Sequence, residues 1–247
     1  MVTRRWAVLG DTGGVAEVEE LQDAFARIEA AVAAGDTDLS RLGFWRLLRQ
    51  VKVDPALSAH WAETVGRIDR AAFEARVRLR APVWLGNLIL ALGTLLGGLA
   101  VVVAMRAEDP TVAGVALVAA AVIWSVSVHC LAHWVVGRLV GIRFLAYTLG
   151  GPFPPRPGLK IDYASYLRVQ PGARAWMHAS GALATKAAPF VALGFWWATD
   201  APAWAAWVCG VLGIAQIVTD VLFSTRSSDW KKVIRERRVA RAQLARR

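Results

Sequence analysis

Apolar residues along this chain fall into four long blocks separated by short charged stretches. Two of them, residues 83–105 and 111–137, contain no charged side chain. Each exceeds the ~20 residues that a helix rising ~1.5 Å per residue needs to cross ~30 Å of hydrocarbon. A third block, residues 175–199, is interrupted by Lys186 and Pro189, and a fourth, residues 203–224, carries Asp220 near its end. The pattern predicts an all-α, polytopic membrane protein with four transmembrane helices.

Upstream the pattern changes. Val18, Leu21, Phe25, Ile28 and Val32 recur at helical spacing between the punctuation of Asp11-Thr12-Gly13-Gly14 and Gly35, which predicts an amphipathic helix over 15–34. A second helix is expected over 39–51, and Pro55 suits the start of a third that runs toward Pro82. These make a small N-terminal cytoplasmic helical domain over 1–81, ahead of a transmembrane domain over 82–225 and a basic cytoplasmic tail over 226–247. Between Ile142 and Arg174, the run Gly150-Gly151-Pro152-Phe153-Pro154-Pro155 breaks any continuous helix and predicts a loop or hairpin on the cytoplasmic face.

Charge sets the orientation. Arg76, Arg78 and Arg80 precede the first block, and Arg138, Arg143, Arg156, Lys160, Arg168 and Arg174 follow the second, whereas the connectors at 106–110 and 199–202 are poor in cations. By the positive-inside rule both termini are cytoplasmic and the protein is a multi-pass protein of the cytoplasmic (inner) membrane. The net charge of +10 is concentrated toward the C-terminus, where residues 226–247 hold nine cations against two acids. Basic excess beside apolar blocks points to the lipid bilayer and its anionic leaflet. Nucleic acid is not an expected partner, because no stacking platform or DNA-binding pattern accompanies the Arg-rich tail. Cys130 and Cys209 both lie inside apolar blocks, which argues against an exported disulfide framework. The basic start is followed by acidic residues rather than an apolar core, so no signal peptide is expected. Tryptophans such as Trp84, Trp176, Trp204 and Trp230 suit headgroup-level anchors.

Candidate chemistry begins with His129 and His133. Positions i and i+4 share one helical face and can point two ring nitrogens at one metal ion. Counting inward from Arg138 places them roughly 7 to 14 Å below the cytoplasmic surface, a depth at which idle polar groups are expensive. Two neutral histidines bonded to neighbouring helices would read the same way. Asp220, Asp229 and His178 approach the same side from other helices and are the candidate further ligands. Imidazole and carboxylate together suit Zn2+. Lys186, deep in the third block, is either a reactive amine or the partner of Asp220.

At this point the chain resembles the site-2 protease family of intramembrane zinc metalloproteases, over roughly residues 112–235. His129-Cys130-Leu131-Ala132-His133 stands where that family has His-Glu-x-x-His. Gly150-Gly151 follows at a similar distance, Ser180-Gly181-Ala182-Leu183-Ala184-Thr185 looks like its Gly-Pro-x-x-Asn segment, and Asp229 looks like the aspartate of its Leu-Asp-Gly, the third zinc ligand. The departures fall on chemistry. Cys130 occupies the position of the glutamate that activates zinc-bound water, Thr185 that of the asparagine, and Trp230 rather than glycine follows Asp229. Losing a general base typically costs about 10²- to 10⁴-fold in rate. The resemblance therefore implies a site-2-protease-like membrane protein that keeps a zinc site and acts without cleaving, as a binding or regulatory pseudoprotease with a membrane-protein partner or substrate. Two alternatives stand beside it. One is an active metalloprotease with a non-standard base, for which Cys130, Lys186 and Thr185 are the catalytic candidates, and the other is a small transporter or channel component.

Overall fold

The computed structural model describes residues 12–150, 156–223, 225 and 228–246. In chain order the elements are α1 (Thr12–Ala33), α2 (Phe44–Lys52), α3 (Pro55–Arg76), β1 (Arg80–Ala81), α4 (Val83–Arg106), α5 (Pro110–Leu139), β2 (Phe144–Gly150), β3 (Arg156–Ile161), α6 (Tyr163–Arg168), α7 (Pro171–Phe195), α8 (Ala203–Leu222) and α9 (Asp229–Leu244). The chain is mostly helical, and it forms two compact units. Residues Met1–Arg78 with Asp162–Arg168 make the first, and Leu79–Ile161 with Val169–Arg247 the second.

In the first unit the apolar stripe of α1 is the core-facing one. Leu21, Phe25, Ile28 and Val32 are buried together with Phe44, Val51, Trp61 and Val65 from α2 and α3. Gly35, with φ of +97°, ends α1 in a left-handed turn that a side chain would resist. Asp54 caps α3 by accepting from the amides of Ala56 and Leu57 at 2.7 and 3.1 Å, and Pro55 fills the first helical position. Helix α2 starts at Phe44 rather than at the expected Leu39. The Asp38 carboxylate accepts from the amides of Ser40 and Arg41 at 3.0 and 3.1 Å, and such local bonds favour a turn over a helix. Likewise α3 stops at Arg76, short of Pro82.

The short helix α6 belongs to this unit although it lies far along the chain. Arg168 pairs with Glu63 at 2.7 Å, Tyr163 packs on Trp45 with ring centroids 5.9 Å apart, and Ala164 sits against Gly66. A Cβ at Gly66 would stand 2.6 Å from Ala164 Cβ and 2.7 Å from its backbone nitrogen. Backbone cannot swing aside as a flexible side chain does. Gly66→Ala is therefore expected to destabilise this unit by about 1–3 kcal/mol despite alanine's better helix propensity, read as a lowered thermal midpoint.

In the second unit α4, α5 and α8 are long and apolar enough to cross a membrane, which associates the protein with one. The large apolar side chains of α4 that face outward, including Leu92, Leu95 and Leu99, form the surface a bilayer would cover. Helix α7 is not among the three. It is rich in alanine and glycine, carries Arg174, His178 and Lys186, and packs against α5, α8 and α9. Small residues on α7, including Ala179, Gly181 and Ala182, allow that close approach.

The Gly/Pro-rich segment forms an antiparallel hairpin, β2 with β3, whose connecting residues 151–155 lie outside the described ones. β1 adds to the other edge of β2 through Arg80↔Thr148 and Ala81↔Tyr147, giving the order β1-β2-β3. Tyr147 anchors the sheet by donating to Asn87 Oδ1 on α4 at 2.8 Å. The basic C-terminal segment is helical as α9, and it buries Val233 and Glu236.

Candidate metal centre

His129 and His133 lie one turn apart on α5, and their rings stand edge to face with centroids 4.7 Å apart. Asp229 is the first residue of α9, capped by Ser228, so its carboxylate leaves the helix start and reaches across to α5. Its Oδ2 is 3.3 Å from His129 Nε2 and 3.2 Å from His133 Nε2. The three ligand atoms all lie within 4.8 Å of one another.

The other ring nitrogens decide what the Nε2 atoms can do. His133 Nδ1 is 2.6 Å from the backbone carbonyl of Met177, which only accepts, so Nδ1 carries the proton. His129 Nδ1 is 2.9 Å from Thr185 Oγ1. The Thr185 hydroxyl already donates to Gly181 O at 3.0 Å, so it accepts from His129 Nδ1–H. With Nδ1 protonated on both rings, each neutral ring would present its Nε2 lone pair to the same carboxylate oxygen. Three acceptors facing one another repel unless a cation sits between them, either added protons or a metal. Bonds of ~2.0–2.2 Å at tetrahedral angles would separate neighbouring ligand atoms by about 3.3–3.6 Å, and the two nitrogen to oxygen distances lie at the short end of that range.

Burial by itself raises the Asp229 carboxyl, but where the two rings carry added protons on Nε2 their hydrogen bonds to it, with the positive field of Lys232, outweigh burial and hold the group well below the usual carboxylate range. Lys232 Nζ lies 2.9 Å from Asp229 Oδ1, leaving Oδ2 to the histidines. Gly181 on α7 faces His133 so closely that a Cβ there would fall 2.3 Å from Nε2. A cavity of about 680 Å³ opens beside these groups, lined also by Cys130, His178, Lys186, Asp220 and the sheet residues Phe144, Thr148 and Leu159.

No protein-family model, curated protein or solved structure matches this chain. Its chemistry is read from its own residues.

Of the residues singled out by sequence, His129, His133 and Asp229 converge. His178 is buried near them, its ring centroid 6.4 Å from that of His133, but it is not one of the converging three. Asp220 is turned to Lys186 Nζ at 2.6 Å, and Lys186 also donates to Ala182 O at 3.3 Å. Thr185 orients His129. Cys130 is buried and borders the cavity. The Met177 carbonyl was not legible as a site group, since a carbonyl leaves no chemical signature, and Gly181 stood out only within the segment likened to Gly-Pro-x-x-Asn. Lys232 had one, in its three-residue spacing from Asp229.

Proposed function

We propose that this chain is a site-2-protease-like integral membrane protein that binds zinc through His129, His133 and Asp229 and acts without cleaving peptide bonds. Four spans are assigned, with α7 crossing among α4, α5 and α8, and both termini are placed in the cytoplasm of a cell-membrane protein. The observation that carries the metal reading is the convergence of two Nε2 atoms, on rings each held through Nδ1, on one carboxylate oxygen. His129 and His133 would hold the ion, with Asp229 as third ligand. Zinc supplies a Lewis acid and a polarised water when bound.

The non-proteolytic assignment rests on what surrounds that water. The position next to His129 is a thiol, which beside a metal tends to coordinate rather than relay a proton. The other basic candidate, Lys186, holds its ammonium against Asp220, which leaves it no lone pair for abstracting a proton. The protein then serves as a binding or regulatory partner of another membrane protein, with the exposed cations of α9, among them Lys231, Arg238 and Arg241, toward anionic lipid.

Metal analysis of the purified full chain by mass spectrometry tests this. About one zinc per chain is expected, lost when His129 and His133 are both changed to alanine. Absence of metal from the unaltered protein would sink the metal reading. Cleavage of a membrane-embedded peptide that stops on chelation would sink the non-proteolytic one.

A further inference from the structure

Helix α9 supplies the third ligand of the centre, yet what holds α9 lies two turns away. Asp229, Val233 and Glu236 are spaced by four and three residues and share one helical face. Val233 is buried with Ala175 and Ala179 of α7, and Trp230 packs on that cluster. Glu236 meets Arg174 at the start of α7, with Arg174 Nε 2.8 Å from Glu236 Oε2 and side chains only 1% and 4% exposed. A guanidinium and a carboxylate so removed from water are costly to separate, and removing one leaves the other's charge poorly compensated.

We infer that Arg174 and Glu236 are positioning residues for the metal centre: their ion pair docks α9 on α7 so that Asp229 reaches His129 and His133. This rests on the metal reading above and adds its mechanism of assembly. The first ligands come from α5 and are oriented by α7 through the Met177 carbonyl and Thr185. The last comes from a separate helix, so the centre is complete only when α9 is docked. By linkage the converse holds, and zinc binding tightens the docking.

The test uses the full chain in nanodiscs, with zinc affinity read by chelator competition and α9 docking by amide hydrogen exchange. Glu236→Ala is expected to weaken zinc binding about 10- to 100-fold, the scale seen for lost outer-shell partners, and to speed exchange across α9. Where that variant does not fold, Glu236→Gln is used, with the same direction expected. Replacing both partners, Arg174→Met with Glu236→Leu, keeps an apolar contact in place of the pair and is expected to restore both readings. In an Asp229→Ala background Glu236→Ala should cost no further zinc affinity, because its effect passes through Asp229. Zinc should slow α9 exchange in the unaltered chain and not in Asp229→Ala. Undiminished zinc affinity in Glu236→Ala, or an equal further loss in the Asp229→Ala background, overturns the positioning role and leaves the metal site standing. No zinc in the unaltered chain overturns the metal reading itself, and the inference with it.

Discussion

Changing Gly181 to alanine is expected to abolish the proposed zinc binding while leaving α7 helical. On propensity alone the change would favour the helix by about 1 kcal/mol. The added methyl, however, would lie 2.3 Å from His133 Nε2 and 2.6 Å from two ring carbons, so the ring must leave its present position. Its Nδ1 is bonded to Met177 O at 2.6 Å, Asp229 stands at its Nε2, and the His129 and His178 rings have centroids 4.7 and 6.4 Å from its own. The clash falls on the ligand atom itself. Zinc affinity should drop by more than the ~10- to 100-fold typical of a lost orienting partner, while stability falls by only about 1–3 kcal/mol, the usual result of overpacking. Chelator competition and thermal unfolding in detergent read the two separately. A Gly181→Ala protein that keeps its zinc would show that the His133 ring does not serve as ligand from this position.

The second large effect is on stability. Lys186→Met should destabilise the folded protein by about 2–4 kcal/mol, since it strands the Asp220 carboxylate in an apolar setting. Breaking a fully buried pair costs ~3–5 kcal/mol. The figure here is discounted because the two side chains keep 16% and 25% of their exposure and water screens them in part. Adding Asp220→Leu to Lys186→Met should recover most of the loss, because an apolar pair needs no partner charge. Zinc content should stay at its unaltered level in both variants. Should Lys186→Met prove as stable as the unaltered protein yet deficient in metal, the lysine would belong to the centre and not to the packing of α7 on α8.

What the amino-acid pattern reveals and what it conceals divide along the range of the contacts. His129 and His133 are visible as a pair because four residues on a helix make neighbours by geometry alone. Their third partner lies 96 residues away from His133, and only the order of motifs pointed to it. The helices long and apolar enough to cross a membrane stand out because a surface suited to hydrocarbon tolerates few charges along its length. Helix α7 hides its character, since three helices cover it and its composition answers to packing rather than to lipid. The hairpin was legible from glycine and proline as a break in helix, but β1 was not, because two residues pairing with Tyr147 and Thr148 have no local pattern. Nor does any local pattern show that α6 docks on α3. Gly66 and Ala164 meet there with no more than a hydrogen and a methyl between their backbones, and short side chains advertise nothing.

That docking has a practical result. The chain leaves the first unit after Arg78, returns to it for Asp162–Arg168, and leaves again, so the two units are interleaved rather than strung in series. A fragment that ends at Arg78 lacks one of its own helices, and one that begins at Leu79 carries Ala164 and Tyr166 without the α3 glycine and the Lys52 ammonium that meet them. A protease nicking residues 77–79 would leave both pieces clasped through α6. Loss of function on deleting the N-terminal residues would accordingly report the loss of α6's own packing partners as much as the removal of a separable module.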